Sequence, residues 1–208
     1  MAERSARFVS RGGEKLQAAL DGFGLSVGGW VCADFGVNVG GFTDCLLQAG
    51  AVKVYALDTG YGALDWRLRK DPRVVVMERT NALYAPLPAD VGPGMELVTI
   101  DVAFTPQRLI VPAAAKWLRP DGRIISLLKP HYEAQKLPRR PVRKGTGQPP
   151  LDDAEAVAIR DEVCQELASM GLAVQAVMPS PLRGKGGNVE FLLLLEPRHL
   201  LDAPRHGP

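Results

Sequence analysis

Apolar runs and amphipathic stretches alternate along the chain. Runs at Trp30–Phe35, Val52–Asp58, Val74–Glu78, Leu97–Val102, Arg123–Lys129, Leu172–Met178 and Val189–Glu196 predict strands. The early runs are continuously apolar, the pattern of a parallel sheet buried on both faces. Helical periodicity falls between most of them, at Phe42–Ala49, Ala63–Lys70, Pro106–Leu118 and Asp152–Met170, and a further helix, Gly13–Phe23, precedes the first strand. Strands alternating with helices imply a doubly wound sheet. The last two strands are joined by Pro179–Asn188, which has no room for a helix and implies antiparallel neighbours. The expected fold class is α/β: a three-layer, Rossmann-like fold with a seven-stranded sheet, six strands parallel and one antiparallel. Gln135–Pro150, rich in Pro, Gly and Arg, reads as a mobile loop, and residues 197–208 as a loose tail.

Composition narrows the picture. A chain of 208 residues, 46% hydrophobic and 23% charged, fits one globular domain, expected over residues 10–196 with a short extension at 1–9. The net charge of +2 says little, but its distribution is uneven. Lys136, Arg139, Arg140, Arg143 and Lys144 form a cationic cluster without an acid, and Arg4, Arg7, Arg11 and Lys15 form a looser one. Local positive charge of this kind suits a polyanion. The three cysteines make no CxxC pair and no zinc-ligand spacing with histidine, which argues against a metal site or a disulfide framework and for a reducing cytoplasm. The charged N-terminus is not a signal peptide, and the strongest apolar run, Phe191–Leu195, falls far short of the ~20 residues that span a bilayer.

The segment Asp34-Phe35-Gly36-Val37-Asn38-Val39-Gly40-Gly41-Phe42-Thr43-Asp44 follows a predicted strand and opens a predicted helix. Its glycines would let backbone approach a ligand at a helix N-terminus, the place of a nucleotide loop in an open α/β sheet. An ordinary strand-to-helix turn has the same look. The loop lacks the GxGxxG pattern, which argues against a dinucleotide dehydrogenase, and it lacks the Gly-Lys-Ser/Thr of a Walker loop. Asp58 ends the second strand at the spacing of an acid that binds both hydroxyls of an adenosine ribose, although a strand-end Asp also caps a turn such as Thr59-Gly60. Asn81, after the third strand, is placed to face an adenine edge or equally to make a turn. Asp101 and Lys129 end the fourth and fifth strands, so both reach the same crevice. Burial there would lower the lysine pKa, although a lysine at a strand end also snorkels to water. Glu190 sits inside an apolar strand and needs a partner, and Lys15 lies on a helix whose default face is solvated.

Taken together, Ser10-Arg11-Gly12-Gly13-Glu14-Lys15-Leu16, Gly40-Gly41-Phe42-Thr43-Asp44, Tyr55–Gly62, Glu78-Arg79-Thr80-Asn81, Thr99-Ile100-Asp101-Val102 and Asn188-Val189-Glu190-Phe191 resemble the hemolysin-A (TlyA) family of FtsJ-like ribose methyltransferases. The resemblance runs from about Phe8 to Leu195. It implies a class I methyltransferase fold and a Lys-Asp-Lys-Glu tetrad, here Lys15, Asp101, Lys129 and Glu190. It implies S-adenosyl-L-methionine as cofactor, held by Asp34, Gly36, Gly40, Gly41, Phe42, Asp58, Asn81 and Asp101. It also implies ribosomal RNA, alone or in a ribosomal subunit, as substrate, methylated at cytidine 2'-hydroxyls. Arg11, Lys136, Arg139, Arg140, Arg143, Lys144, Arg183 and Lys185 are the candidate RNA contacts. Family members usually carry an S4-type RNA-binding module ahead of the Ser-Arg-Gly-Gly motif, so a catalytic domain without it is expected. Where the family has small or hydroxyl residues, this chain has Phe35, Val37, Asn38 and Val39, which would crowd the methionine end of the cofactor.

The sulfonium methyl is already activated, so the protein must mainly position and deprotonate a hydroxyl, with Lys129 as base and Lys15 depressing its pKa. Three rivals remain: a methyltransferase for a non-RNA substrate, a non-catalytic RNA-binding module on this fold, and a membrane-active cytolysin. The basic loop argues against the first, and the lack of a spanning or basic amphipathic helix against the last.

Overall fold

The computed structural model describes residues 7–135 and 151–197. The strands are β1 (Val31–Phe35), β2 (Lys53–Leu57), β3 (Val74–Met77), β4 (Met95–Ile100), β5 (Leu118–Leu128), β6 (Leu172–Pro179) and β7 (Phe191–Pro197). The helices are α1 (Gly12–Phe23), α2 (Gly41–Gln48), α3 (Trp66–Lys70), α4 (Gln107–Ala115), α5 (Pro130–Glu133) and α6 (Asp153–Ser169). The sheet runs β3-β2-β1-β4-β5-β7-β6. Strand β7 is antiparallel to both β5 and β6, so it is the one reversed strand, and it lies between them. This is the class I methyltransferase arrangement expected from the alternation of elements.

The apolar runs are continuous because successive residues enter two different cores. Val54 and Ala56 pack with α1 and α2 through Leu16, Leu20 and Leu46. Tyr55 and Leu57 face the other way, in the core formed with Ile110 and Val111 of α4 and Ile159 and Val163 of α6. Leu192 and Leu194 of β7 join the first core, Leu193 and Leu195 the second. Asp152 starts α6 by accepting a hydrogen bond from the Glu155 N–H at 2.7 Å, a helix-start signal visible in the sequence.

Three expectations need correction. Residues 63–65 are not helical: Gly62 has φ +76, and Asp65 accepts from the Arg67 N–H, so α3 starts at Trp66. Strand β5 begins at Leu118, five residues before the expected Arg123. Pro120-Asp121-Gly122 looks like a turn but is carried inside the strand at a register irregularity opposite Met95–Leu97. A Cβ at Gly122 would stand 2.6 Å from the Met95 carbonyl, so glycine permits that approach. Glu190 lies outside the strand expected to contain it, one residue before β7. The helix after Lys129, a single turn, carries too short a pattern to read in advance.

Trp117 closes the second core. It is 1% exposed, meets Phe35 edge-on at 5.1 Å and donates its indole N–H to the Ala85 carbonyl at 3.1 Å. Trp117→Ala should cost about 3–5 kcal/mol, because it leaves a cavity and an unpaired carbonyl. Urea unfolding of both proteins measures it, and a loss under about 1 kcal/mol would mean that the ring is not an anchor.

Candidate active site

From β1 the chain moves outward to β2 and β3, then crosses back to β4 on the other side of β1. The crevice at the carboxyl ends of β1 and β4 is therefore the topological switch point, where open α/β sheets bind ligands. Gly36 leaves β1 at φ +89, and a Cβ there would come 2.7 Å from the Asp101 carbonyl oxygen. The other loop glycines are also required by packing, although Gly41 lines the crevice as well. At Gly40 (φ +103) a Cβ would collide with Leu68 and Leu64. At Gly41 it would collide with Ser10 Oγ and stand 2.8 Å from Gly13 N. Helix α1 thus lies directly against the start of α2, and Lys15 is carried to the crevice.

Lys15 does not sit on a solvated face. Its Nζ lies 2.5 Å from Glu190 Oε2, with the two side chains 12% and 4% exposed. Lys129 Nζ lies 2.5 Å from Asp101 Oδ1 and also donates to the Val102 carbonyl at 3.3 Å. The Lys129 ammonium is the charge partner of Asp101 Oδ1, an oxygen buried from solvent. Lys15, Asp101 and Lys129 all line one cavity of about 310 Å³, together with Ser10, Arg11 and Asp34. Glu190 reaches it only through Lys15. The backbone of Gly184 leaves room for that carboxylate, since a Cβ at Gly184 would collide with Glu190 Oε1. The sequence showed no reason to single out Gly184.

A second cavity, about 440 Å³, opens on the other side of Asp101 and is lined by Asp58, Gly60, Tyr61, Asn81 and Phe104. Gly36, Asn38, Asp101 and Ala103 line both cavities. Asp58 Oδ2 accepts from the Asn38 N–H at 2.8 Å and Oδ1 from the Gly60 N–H at 2.7 Å, which fixes the carboxylate at the cavity wall with lone pairs to spare. Asn81 makes the turn: its Oδ1 accepts from the Leu83 N–H at 3.0 Å, although the residue also lines the cavity.

Asp34 is 1% exposed and its oxygens are engaged within the protein. Oδ2 accepts from the Thr43 N–H (2.9 Å) and the Thr43 hydroxyl (2.7 Å), and Oδ1 from the Thr99 hydroxyl (3.2 Å). It therefore caps the first turn of α2 from the neighbouring strand. Burial pushes its carboxyl up to about 7, against the Thr43 and Thr99 hydrogen bonds and with help from the charge of Asp101. Phe42 is buried in the first core while also lining the smaller cavity. The crowding expected of Phe35 does not occur, because its ring enters the second core against Trp117. Val37 is largely absorbed by the first core, and only Val39 and Asn38 stand at the cavity with exposed side chains.

Of the candidate RNA contacts, Arg11 is exposed at the rim of the smaller cavity. Arg183 pairs with Asp153 at 2.9 Å and donates to the Gly187 carbonyl, so its charge is already matched. Lys185 lies in the turn Lys185–Gly187. Lys136, Arg139, Arg140, Arg143 and Lys144 lie outside the described residues. Among the described residues, no group of three or more His, Cys, Asp or Glu side chains could hold a metal ion, and no helix is long and apolar enough to cross a membrane.

The FtsJ-like methyltransferase family model matches residues 8–196. The chain belongs to that family. It is 44% identical over 190 residues to the rRNA methyltransferase-type protein YqxC of Bacillus subtilis, covering 91% of this chain and 66% of that one. It is 42% identical over 188 residues to TlyA of Mycobacterium tuberculosis, named a 16S/23S rRNA (cytidine-2'-O)-methyltransferase, covering 90% and 68%. The chain thus spans about two thirds of the length of these curated relatives. A solved hemolysin-like structure from Streptococcus thermophilus superposes with a TM-score of 0.81 at 38% identity, over 98% of this chain and 70% of that one. The methyl donor of FtsJ-like enzymes is S-adenosyl-L-methionine. Two features of the crevice fit it: two joined cavities of ligand size, and the Asp58 carboxylate fixed at the wall of the larger one with lone pairs to spare.

Asp34 sets a pH dependence of stability. Its folded-state pKa is raised, so between the unfolded value of 3.8 and about 7 the folded state binds more protons. Stability should therefore fall as pH rises through that window, by on the order of 1.4 kcal/mol for each pH unit crossed. Asp34→Asn keeps an acceptor for Thr43 and should flatten the fall. Denaturant titrations of both proteins from pH 4 to 8 test this, and parallel curves would refute it.

Proposed function

We propose that this chain transfers the methyl group of S-adenosyl-L-methionine to a ribose 2'-hydroxyl of ribosomal RNA. The observation that carries the reading is the convergence of two lysines and two carboxylates, drawn from α1 and the ends of β4, β5 and the β7 lead-in, on a cavity joined to a second one at Asp101. The names of the relatives point to the same chemistry on cytidine 2'-hydroxyls.

The cofactor, when bound, supplies a methyl group activated on a sulfonium. Asp58 and Asn81 would hold the adenosine end in the larger cavity, with Asp101 between the two chambers. What remains for the protein is to present the hydroxyl in line and take its proton. Lys129, which lines the smaller cavity, accepts that proton at Nζ as the free amine, having first released its own ammonium proton to solvent. Asp101 aims the amine, and Lys15 with Glu190 keeps a second cation close enough to stabilise the developing alkoxide. With Lys129 protonated, as in its ion pair with Asp101, the four charges sum to zero, and the same balance returns once Lys129 has taken the hydroxyl proton.

RNA would reach this pocket over Arg11, and Lys136, Arg139, Arg140, Arg143 and Lys144, which lie outside the described residues, would add sequence-independent contacts to phosphate. Phe104 is 65% exposed at the mouth of the larger cavity, its ring 4.6 Å from Tyr132, and offers a face on which a displaced base can stack.

Two measurements test the reading. Asp58→Ala should weaken S-adenosylmethionine binding by ~1–3 kcal/mol through loss of charge-assisted hydrogen bonds; unchanged affinity by calorimetry would move the adenosine site elsewhere. Lys129→Ala should abolish tritiated-methyl transfer to ribosomal subunits with cofactor affinity retained. Lys129→Arg should also fail, since a guanidinium does not give up its proton near neutral pH. Wild-type turnover by Lys129→Arg would reduce Lys129 to an electrostatic anchor.

A further inference from the structure

Glu133 is buried, 7% exposed, at the end of the single turn α5 that follows Lys129. Its Oε1 accepts the backbone N–H of Gln107 at 2.7 Å. Gln107 is the first residue of α4, and the residue before it, Pro106, offers no side-chain cap. Glu133 therefore caps α4 in trans, satisfying an N–H that the helix itself leaves orphaned. Gln107 is in turn fixed to β5, its Oε1 accepting from the Ser126 hydroxyl at 2.6 Å.

These contacts close a ring around the proposed base. Asp101 leads through residues 102–106 to Gln107, and Lys129 leads through α5 to Glu133. The first ends of the two segments are joined by the Lys129–Asp101 pair, and the Lys129 ammonium also donates to Val102. Their middles touch through Phe104 and Tyr132. Their far ends are tied by Glu133 and Gln107. Phe104 is held at φ +64, a backbone state that a bulky residue keeps only when its surroundings impose it.

We infer that Glu133 is a positioning residue for methyl transfer: its hydrogen bond to the Gln107 N–H sets the distance between the Asp101 and Lys129 segments and so aims Lys129 Nζ. The inference rests on the reading of Lys129 as the group that takes the hydroxyl proton. Glu133 touches neither cavity and acts through the backbone it holds. Burial pushes its carboxyl up, against the pull of the Gln107 N–H, so a neutral acceptor of the same shape should serve as well.

The test compares Glu133→Gln, which keeps the acceptor, with Glu133→Met, which keeps the volume and removes it. The probe is trace acetylation by acetic anhydride, read by mass spectrometry at Lys129 with Lys53 as the internal reference. Single-turnover methyl transfer at saturating cofactor is read in parallel. Glu133→Met should raise Lys129 labelling several-fold relative to Lys53. It should slow transfer about 10–100-fold, the usual consequence of an ångström-scale misplacement, with cofactor affinity unchanged. Glu133→Gln should restore both to near wild type. Equal Lys129 labelling in wild type and Glu133→Met overturns the inference whether or not RNA is methylated. Labelling that rises at Lys53 as well shows general loosening and also overturns it, as does a Glu133→Gln protein that behaves like Glu133→Met. If the labelling pattern holds but wild type methylates no ribosomal particle, the clamp stands and the RNA reading falls.

Discussion

The ends of β1 and β4 approach so closely that only a hydrogen fits on Gly36. The Asp101 N–H donates to the Phe35 carbonyl at 2.9 Å, and a Cβ on Gly36 would stand 2.7 Å from the Asp101 carbonyl. That contact keeps the two strands paired to their last residues and then lets them part in opposite directions, one into the Gly36–Gly41 loop and the other into residues 102–106. The crevice opens because the connections diverge there. Asp101 can wall two cavities at once for the same reason: it is the residue at the point of divergence.

Around this point the protein gathers five ionisable groups with little solvent, and it treats them in two ways. Lys15 with Glu190, and Lys129 with Asp101, are paired across elements far apart in the chain. Desolvating either ion alone would cost several kcal/mol, and each partner offsets that cost for the other. Asp34 relies instead on two threonines and the start of α2 for its hydrogen bonds. Burial pushes its carboxyl up in spite of these hydrogen bonds, a cost accepted where the acid also fastens a helix to the sheet. The two ion pairs thus also contribute to stability, because they tie α1 to the β7 lead-in and the end of β4 to the end of β5.

The Gly-rich loop shows how one sequence signal serves two masters. Its position after β1 and before α2 suits a cofactor. Yet Gly40 is required by Leu64 and Leu68, and Gly41 by Ser10 and Gly13 of the α1 start. Gly36 stands on both cavities, with its own close approach to satisfy. The crowding that Phe35 would bring is relieved by packing: the chain turns at Gly36 (φ +89), so the Phe35 ring enters the second core while Val37 packs mainly into the first at the cavity edge.

Much of this was legible in the residues themselves. Continuous apolar runs spaced by helical periodicity determine a parallel sheet of α/β type, because such strands need cover on both faces. A polar residue just past each of several runs, Asp58, Asp101 and Lys129, determines that charges gather at one edge, since parallel strands all end on the same side. Glu190 in an apolar context demanded a partner. What only the tertiary structure decided is which groups meet. Lys15 and Glu190 are 175 residues apart, and their pairing depends on α1 lying against α2 and on the room left at Gly184. The reversed strand's place between β5 and β6 and the cap that Glu133 supplies to α4 were equally invisible in one dimension, whereas the turn at Asn81 was one of two roles the sequence left open. Local pattern reports which face of an element is buried; which neighbour buries it is settled only when the elements pack.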